Sequence, residues 1–540
     1  MKGKELLINT IRGEETSRTP WVPFVGVHGG YLIGTTADLY LQSSELMIQG
    51  LSKAVELYQP DGLPVCFDLQ IEAEALGCRL NWSPDNPPAV VTHPLAEGVA
   101  LKTLKIPGPK DGRIPMVMET AREMRKKFPE LGLYGLVTGP FTLALHLLGT
   151  DIFMKMFEDP EGIRELLTFT AEVTSTMAGY YLDAGCDIIA MVDPMTSQIG
   201  PEQFKEFIHE PASSVFNFIR KSGALSSFFV CGHAQQNIEV MSQTGPDNVS
   251  IDENIPLDFV REVCKKYDIS FGGNLQLTMV LLMGSEEDCM QHAWECITTA
   301  DSPRFILAPG CDLPMKTPPE NIRAITRLVN DPYQQEVIQA LGKTSSKPEL
   351  LNLDDYGNID KVIVDIITLD SESCAPCQYM VEAVKQVAPH FEGIVEWREH
   401  SIKDFEGITF MSSLFVKNIP TICIDGKITF VSKIPPKNEL IRAIQKRINE
   451  KLKSRLRIKP GEILLAGESG EELTELKRKT ELALAELGTK LDVRIETGEE
   501  FRQNLGVANT PAWISVKYRI RSEGRQPTIE VIKEWIKDLL

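Results

Sequence analysis

The sequence predicts an α/β protein in which a large parallel barrel is followed by a duplicated, smaller α/β module. Before about residue 340, short apolar runs alternate with amphipathic helical stretches, and six such strand–helix units occupy about 210 residues. A polar stretch without periodicity follows at 343–358. After it, the order strand, helix, strand, hairpin, helix occurs twice, with a period of roughly 90–100 residues.

The strand-like runs of the first part are continuous and apolar, which is typical of strands buried on both faces of a parallel sheet. Their number and spacing fit a (β/α)8 barrel better than an open sheet, and in such barrels the chemistry lies where the strands end. We therefore predict a barrel over 1–342, a linker over 343–358, a first module over 359–454 and a second over 455–540. The predicted barrel strands are 131–139, 186–194, 225–232, 248–252, 269–274 and 304–310.

The amino-acid composition limits the kinds of partner and the location that we expect for this protein. The net charge of −19 argues against nucleic acid, because phosphate binding needs a basic surface. No run of about 18 apolar residues indicates a membrane span, and the first twenty residues lack the apolar core of a secretory signal. The 11 cysteines are irregularly spaced, which does not suggest a disulfide framework. These features predict a cytoplasmic protein with small-molecule or protein partners.

The first module contains the dithiol Cys374-Ala-Pro-Cys377 directly after an apolar strand and at the start of a helix. A helix N-terminus presents free amides and partial positive charge, which we expect to stabilise a thiolate on Cys374. Cys377, one turn later, could then resolve a mixed disulfide. The other interpretation is half of a zinc knuckle, but no second CxxC or CxxH lies nearby.

This strand–CAPC–helix arrangement, with Ile419-Pro420-Thr421 before a hairpin, resembles the thioredoxin/glutaredoxin family. The resemblance implies that Pro420 is a cis-proline packed against the dithiol, that Cys374 attacks and that Cys377 resolves. The second module keeps Thr510-Pro511 but has Gly-Glu-Ser-Gly at 467–470 where the cysteines would be. It is similar to a redox-silent thioredoxin fold, with a structural or docking role.

Two barrel cysteines lie at predicted strand ends. Cys231 occurs in FFVCGHA beside Gly232 and His233, and Cys311 occurs in APGCDLP. Two cysteines and a histidine at strand ends are the ligand types of a zinc site with one open position. Zinc there would bind an incoming thiol as thiolate. Other interpretations stay open: plain buried thiols, or a disulfide between the two cysteines.

Eight segments of the first part follow a family pattern: Arg18-Thr-Pro, 68–77, 138–149, Asp193-Pro194, 230–232, 250–254, 272–274 and 309–322. Through them, residues 1–340 resemble the uroporphyrinogen decarboxylase superfamily, and within it the methylcobalamin:coenzyme M methyltransferase branch. The resemblance implies a TIM-type barrel and, in that branch, a zinc ion held by a His-x-Cys pair and a distant cysteine. Cys231 and Cys311 match the two cysteines, but Phe229 stands in the histidine's place. His233 is the candidate substitute.

Five further residues are candidates for the barrel site. Asp68 matches the aspartate with which the decarboxylases bind pyrrole nitrogens, although it could equally fix a loop. Asp193 is either substrate-facing or a turn former. Glu253 could position a ligand, and Asn274 lies in the matching Gly-Gly-Asn segment. His28 lies in VGVHGG, after a further predicted strand in WVPFVGVHGG (21–30) that precedes the six above. It is a second candidate for the missing ligand or a plain loop residue.

Three functions follow from these features. The leading hypothesis is a corrinoid-dependent methyltransferase, which passes a methyl group between a corrinoid protein or free methylcobalamin and a small thiol or similar acceptor. In it the dithiol keeps the site thiols or the substrate reduced and needs its own reductant. The alternatives are a tetrapyrrole decarboxylase, and a redox-regulated binding protein with a non-catalytic barrel. The remaining cysteines are predicted to be structural: Cys66, Cys78, Cys186, Cys264, Cys289, Cys296 and Cys423.

Overall fold

Two compact units make up the chain. The first comprises 1–346 together with 370–378, and the second comprises 347–369 together with 379–540. The predicted linker lies outside the described residues except for Tyr356. The computed structural model describes residues 3–341, 356, 361–371, 374–403, 405–414, 416, 418–455, 462–468, 470–497, 510–515, 519–523 and 526–537.

A seven-stranded parallel sheet forms the centre of the first unit. The strands follow one another around the sheet in chain order, each paired in parallel with the next. All six strands predicted from the apolar runs are present. The sheet strands are β1 Gly62–Pro64, β4 Gly132–Thr138, β5 Ile188–Val192, β6 Leu225–Val230, β7 Asn248–Ile251, β8 Ser270–Leu275 and β9 Phe305–Pro309, while β2 Leu80–Asn81 and β3 Ala89–Val90 form a separate hairpin.

The segment around Trp21 lies between the first and last strands of this sheet. Trp21 forms a parallel bridge with Leu307, whose backbone also bonds to Pro20 and Val22 at 3.0 Å. On the other side, the amide of Asp61 donates to the Trp21 carbonyl at 2.9 Å. The strand predicted before His28 is therefore present only as an isolated bridge at Trp21. The curled sheet fits a TIM-like barrel, in which this segment takes the eighth position.

Helices alternate with the barrel strands, and several begin at the capping residues that their sequences provide. Asp159 accepts a hydrogen bond from the Gly162 amide ahead of Pro160, and Ser285 and Asp288 form a capping box. The helices are α1 Gly3–Arg12, α2 His28–Tyr31, α3 Ala37–Tyr40, α4 Ser44–Tyr58, α5 Ile71–Ala75, α6 Ile114–Lys127, α7 Pro140–Leu148, α8 Ile152–Glu158, α9 Pro160–Asp183, α10 Pro201–Gln203, α11 His209–Lys221, α12 Ile238–Ser242, α13 Leu257–Tyr267, α14 Glu286–Ala300, α15 Pro319–Asn330 and α16 Pro332–Leu341.

The second unit contains two four-stranded sheets with the same topology. In each, the first two strands are parallel and the last two form an antiparallel hairpin beside the first. The strands are β10 Val362–Thr368, β11 Val395–Ser401, β12 Thr421–Ile424 and β13 Lys427–Val431, then β14 Glu462–Ala466, β15 Asp492–Glu496, β16 Ala512–Ser515 and β17 Arg519–Glu523. The two orders are β11-β10-β12-β13 and β15-β14-β16-β17, so the predicted internal repeat is present at the level of elements.

The helices that accompany these sheets include one that the sequence analysis did not predict. This is α18, whose stretch is apolar around most of its circumference and shows no clear helical period. Its buried Ile408 and Phe410 join a core cluster with Leu482 and Ala485 of α20, so a helix of the second repeat packs on the first. The helices are α17 Ala375–Val387, α18 Phe405–Ser413, α19 Lys437–Arg455, α20 Glu471–Leu487 and α21 Ile529–Lys537. Among the described residues, no helix is long and apolar enough to span a bilayer.

Candidate functional site

Cys231 and Cys311 lie side by side in the first unit. Each follows a barrel strand, since β6 ends at Val230 and β9 ends at Pro309. Their Sγ atoms are 3.1 Å apart, and both side chains are partly buried against the barrel core. The S–H···S hydrogen bond with Cys311, followed by burial, raises the pKa of the Cys231 thiol well above its usual value. The sequence prediction that these two thiols share one end of the barrel agrees with this geometry.

Asp252 and Glu253, at the end of β7, hold the two cysteine loops. The Gly232 amide donates to the Asp252 carboxylate, where a φ of +86° suits glycine. Gly310, next to Cys311, lies against Glu253, and a Cβ at residue 310 would be 2.4 Å from Glu253 Oε2. Burial raises the pKa of Asp252 to about 6 and that of Glu253 to about 8, the latter also through the charge of Asp252. The two neighbouring carboxyls therefore hold a proton near neutrality more readily than exposed carboxyl groups do.

The donor set does not fit the predicted three-ligand zinc site. Within the part of the chain that the structure describes, no group of three His, Cys, Asp or Glu side chains is arranged to hold a metal ion. His233 does not join Cys231 and Cys311 in such a group, and its buried Nδ1 has no hydrogen-bond partner. The position expected for histidine holds Phe229, which is 1% exposed and packs against Phe24 in a tilted and Phe67 in an edge-to-face arrangement. Two thiols alone are one ligand short of the sites that zinc enzymes use.

The protein itself engages both ring nitrogens of His28, which favours the loop-residue interpretation over that of a ligand. Its side chain is fully buried, Nδ1 bonds to the Met315 carbonyl at 2.9 Å, and Nε2 bonds to the Tyr58 hydroxyl at 2.6 Å. Burial lowers the pKa of His28 to about 4. The neutral ring therefore ties the loop after the Trp21 segment to α4, as the plain structural interpretation expects.

Asp193 is also a structural residue, which favours the second of its two predicted roles. Its carboxylate accepts hydrogen bonds from the Phe141 amide at 3.1 Å, the Thr142 amide at 2.8 Å and the Thr142 hydroxyl at 2.6 Å. It is completely buried and stabilises the free amides at the start of α7. Burial raises the pKa of Asp193 to about 6. No exposed surface remains for contact with a substrate.

Asp68 is paired with an arginine that the sequence analysis missed. Its Oδ2 is 2.5 Å from Arg113 Nη1, and its Oδ1 accepts from the Gln70 amide at 2.8 Å. Arg113 also bonds Glu74 at 2.6 Å and stacks over Trp82, yet its buried Nη2 has no partner. Because Arg113 lies in a loop stretch with no motif, only the tertiary fold reveals it. The Arg113 pair supports the loop-fixing interpretation of Asp68.

Asn274, predicted to bind a cofactor, is engaged by the protein itself. Its Nδ2 donates to the Ile255 carbonyl at 2.9 Å, and its Oδ1 lies 3.7 Å from Cys296 Sγ. The first of these bonds fixes the loop that follows Asp252 and Glu253. Asn274 therefore supports the loop of Asp252 and Glu253 through a backbone contact.

The dithiol segment belongs to the first unit, with residues 370–378. Cys374 directly precedes α17, and its amide donates to the Asp370 carbonyl at 3.0 Å. Cys377 is fully buried, while Cys374 is partly exposed. A hydrogen bond with Cys377, followed by burial, raises the pKa of the Cys374 thiol. The expected lowering by the helix N-terminus is therefore outweighed in this all-thiol state, where a second sulfur shares the proton.

Pro420 follows a cis peptide bond, as the resemblance implied for Ile419–Pro420, and the Thr510–Pro511 bond of the second repeat is cis as well. The prediction that Pro420 packs on the dithiol stays a prediction.

The second repeat differs from the predicted alignment. Counted from the helix start, Gly470 is the residue before α20 and corresponds to Cys374, and the buried Leu473 corresponds to Cys377. The strand–helix connection is shorter in the second repeat, which shifts the alignment by three residues.

Comparison with known proteins places the barrel. A family model described as uroporphyrinogen decarboxylase (URO-D) matches residues 2–332. A methylcobamide:CoM methyltransferase, MtbA, of Methanosarcina acetivorans is 25% identical over 332 residues, which are 59% of this chain and 95% of that protein. A methylated-thiol–coenzyme M methyltransferase of Methanosarcina mazei is 29% identical over 266 residues, 48% of this chain and 70% of that protein. A uroporphyrinogen decarboxylase of Prochlorococcus marinus is 24% identical over 336 residues, 59% and 94% of the two chains.

Among solved structures, a methyltransferase from Methanosarcina mazei matches with a TM-score of 0.57 and 23% identity. The match covers 61% of this chain and 98% of that one, and it shows a common fold over the barrel. The family model extends from the first helix almost to the end of the barrel. The chain therefore belongs to the uroporphyrinogen decarboxylase (URO-D) family.

Proposed function

We propose that this protein is a corrinoid-dependent methyltransferase whose barrel transfers a methyl group between a corrinoid, free or protein-bound, and a small thiol. The observation that carries the proposal is the similarity of the whole barrel to methylcobamide:CoM methyltransferases, at 25% identity over 95% of one such protein. The paired thiols at the strand ends support it, because barrels of this type carry their chemistry there. The similarity to uroporphyrinogen decarboxylases is of comparable extent, so decarboxylation is the competing outcome of the test.

The groups around the thiol pair suit the proton chemistry of such a transfer. A thiol acceptor must lose its proton before or as its sulfur takes the methyl group, since the thiolate is the nucleophile. Asp252, whose pKa burial raises to about 6, bonds the Gly232 amide beside Cys231 and is the candidate base. Glu253, whose pKa burial raises to about 8, lies against Gly310 beside Cys311 and, in its protonated form, can donate a hydrogen bond to an anionic group. No step requires zinc, whose third ligand is missing from the described site residues.

In this proposal, residues 359–454 are a thioredoxin-like dithiol module and residues 455–540 are its redox-silent partner. Three features support it: the sheet order with a parallel first pair and an antiparallel last pair, the dithiol at the start of α17, and the cis bond before Pro420. The second repeat has the same sheet order and cis bond, but the last cysteine of the sequence is Cys423. Its α20 packs on the core of the first repeat, which suits a structural role.

Steady-state methyl transfer from methylcobalamin to coenzyme M or a simpler thiol, followed by the change in corrinoid absorbance, tests the barrel proposal. We expect turnover by the wild type and a loss of about 10²-fold or more in kcat with Asp252→Asn, in line with the removal of a general base. The matched control is Glu130→Gln on the barrel surface, expected to change nothing. Decarboxylation of uroporphyrinogen without methyl transfer would replace the proposal, and no turnover of either substrate would support a non-catalytic barrel.

A further inference from the structure

Two pairs of cysteines in the first unit have the same arrangement. Cys231 and Cys311 share an S–H···S hydrogen bond at 3.1 Å, and Cys374 and Cys377 share another. The other six barrel cysteines are buried in the core, whereas Cys231, Cys311 and Cys374 are each partly exposed. The pairs thus stand out as the thiols of this unit that combine a sulfur neighbour with access to solvent.

The dithiol segment is held among barrel residues of the same unit. Gln378 Nε2, one residue after Cys377, donates to the Val90 carbonyl of β3 at 2.7 Å. Cys374 lies close enough to Cys231 and Cys311 for the charge of one sulfur to act on another. The described side chains offer the Cys231/Cys311 pair no third metal ligand. What the pair does have nearby is a second pair of thiols.

We propose that Cys231 and Cys311 form a reversible disulfide, and that the Cys374/Cys377 dithiol is its reductant within the same chain. The inference rests on the proposed redox role of the dithiol and names its substrate. A disulfide needs an S–S bond of about 2.05 Å, so the two barrel sulfurs must approach by about 1 Å from their present separation. Each cysteine lies beside a glycine, Gly232 or Gly310, in the loop that follows its strand.

The exchange balances in atoms and electrons. A peroxide or another two-electron oxidant converts the Cys231 and Cys311 thiols to a disulfide, and the two thiol protons leave with the reduced oxidant. The Cys374 thiolate then attacks one barrel sulfur, which breaks the barrel disulfide and forms a mixed disulfide. The other barrel sulfur leaves as a thiolate and takes up a proton.

In the second step, Cys377 loses its proton and its sulfur attacks Cys374, which breaks the mixed disulfide. The first barrel sulfur leaves and is protonated. Two electrons have passed from Cys374 and Cys377 to Cys231 and Cys311, and the new disulfide lies in the CAPC segment. An external dithiol reductant then returns it to the thiol state. The barrel site would be closed to chemistry that needs its thiols while oxidised, and restored from within the chain.

Trapping the intermediate tests this exchange. Full-length Cys377→Ser, oxidised anaerobically with one equivalent of peroxide, cannot resolve a mixed disulfide. We expect peptide mapping of the non-reduced protein to show Cys374 linked to Cys231 or Cys311. The yield should not depend on protein concentration, because tethering supplies an effective concentration of about millimolar. The same oxidation of the wild type should give a disulfide between Cys374 and Cys377, and Cys374→Ser should keep the disulfide in the barrel.

Controls separate this inference from the proposed function. Cys264→Ala removes a buried barrel thiol and should leave the pattern unchanged. Reduction of insulin by the wild type, lost in Cys374→Ser, reports the dithiol alone. If insulin is reduced but no Cys374–barrel link is trapped, the inference fails while the dithiol assignment stands. If insulin is not reduced, the dithiol assignment itself fails. One zinc per chain in the anaerobically purified protein, lost in Cys231→Ser, would overturn the disulfide.

Discussion

Some buried carboxylates of the barrel lack the cationic partners that Asp425 has in the second unit. In the barrel, Glu72 and Asp193 are completely buried, and their hydrogen bonds come from neutral donors, chiefly backbone amides and threonine hydroxyls. In the second unit, Asp425 is equally buried but contacts two cations, Arg447 at 2.8 Å and Lys451 at 2.7 Å. Both arrangements satisfy the oxygen atoms, yet only the second compensates the charge.

The presence or absence of a cationic partner decides how each of these carboxylates responds to pH. Burial without a cation raises the pKa of Glu72 to about 7 and that of Asp193 to about 6. These groups gain protons near neutrality, beside a site whose Asp252 and Glu253 do the same. Asp425 instead fixes the β12–β13 turn through its ion pairs with Arg447 and Lys451, and its carboxylate also accepts from the Ile363 amide at 2.9 Å. Glu72 and Asp193 are therefore groups that titrate near neutrality, whereas the ion pairs of Asp425 serve stability.

The largest effect is expected from Asp425→Asn. The asparagine keeps the left-handed turn conformation, with φ of +47° in the wild type, but it removes the buried negative charge that both Arg447 and Lys451 contact. Breaking a buried ion pair on one side costs about 3–5 kcal/mol. Hydrogen exchange of second-unit peptides during urea unfolding should show this loss, with Asp492→Asn, on the surface, as the unchanged control. A loss under 1 kcal/mol would mean that the network is solvated, and the contrast between the two units would disappear.

Glu72→Gln should change the pH dependence of the barrel. The folded-state pKa of Glu72 is raised from the ordinary value, so its contribution to the free energy of unfolding is complete below about pH 4.5 and is lost as pH rises through 7. For the wild type this loss amounts to about 3 kcal/mol, and the glutamine variant should lack it. Unfolding at pH 5 and pH 8, followed by hydrogen exchange of barrel peptides, measures the difference.

Glu130→Gln, on the barrel surface, is the control for this experiment and should follow the wild type at both pH values. Equal slopes for Glu72→Gln and the wild type would show that Glu72 stays ionised when buried. The barrel would then resemble the second unit in how it holds its charges.

Thr142→Val is expected to have the smallest effect. It removes the hydroxyl that donates to Asp193 at 2.6 Å and that accepts from the Met195 amide at 3.1 Å. The loss of such bonds costs about 1–2 kcal/mol. Because the hydroxyl stabilises the ionised form of Asp193, the deficit should be larger at pH 8 than at pH 5. Thr176→Val, on the exposed face of α9, is the matched control, and a deficit independent of pH would show that Asp193 does not titrate in this range.

The architecture could largely be predicted from the sequence because it depends on local patterns. The six apolar runs after residue 130 became β4 to β9, and the repeated order of elements after the linker became two sheets of one topology. The pairing of Cys231 with Cys311 was also predictable, since both follow strands of one parallel sheet. Helix α18 was missed because apolar residues lie on most of its circumference, so its sequence shows no clear helical period.

What each polar side chain does was decided by the tertiary structure. His28, Asp193 and Asn274 have the residue types of a site, yet their hydrogen bonds are taken by carbonyls, amides and hydroxyls that lie far away in the sequence. Arg113 and the Glu253–Gly310 contact carry no motif.

The sequence by itself determined the two kinds of module, the dithiol and the positions of the two barrel thiols, because apolar periodicity and strand ends are local properties. Only the tertiary structure decided which polar groups remain free for chemistry, because the partner that occupies a buried donor or acceptor comes from another part of the chain.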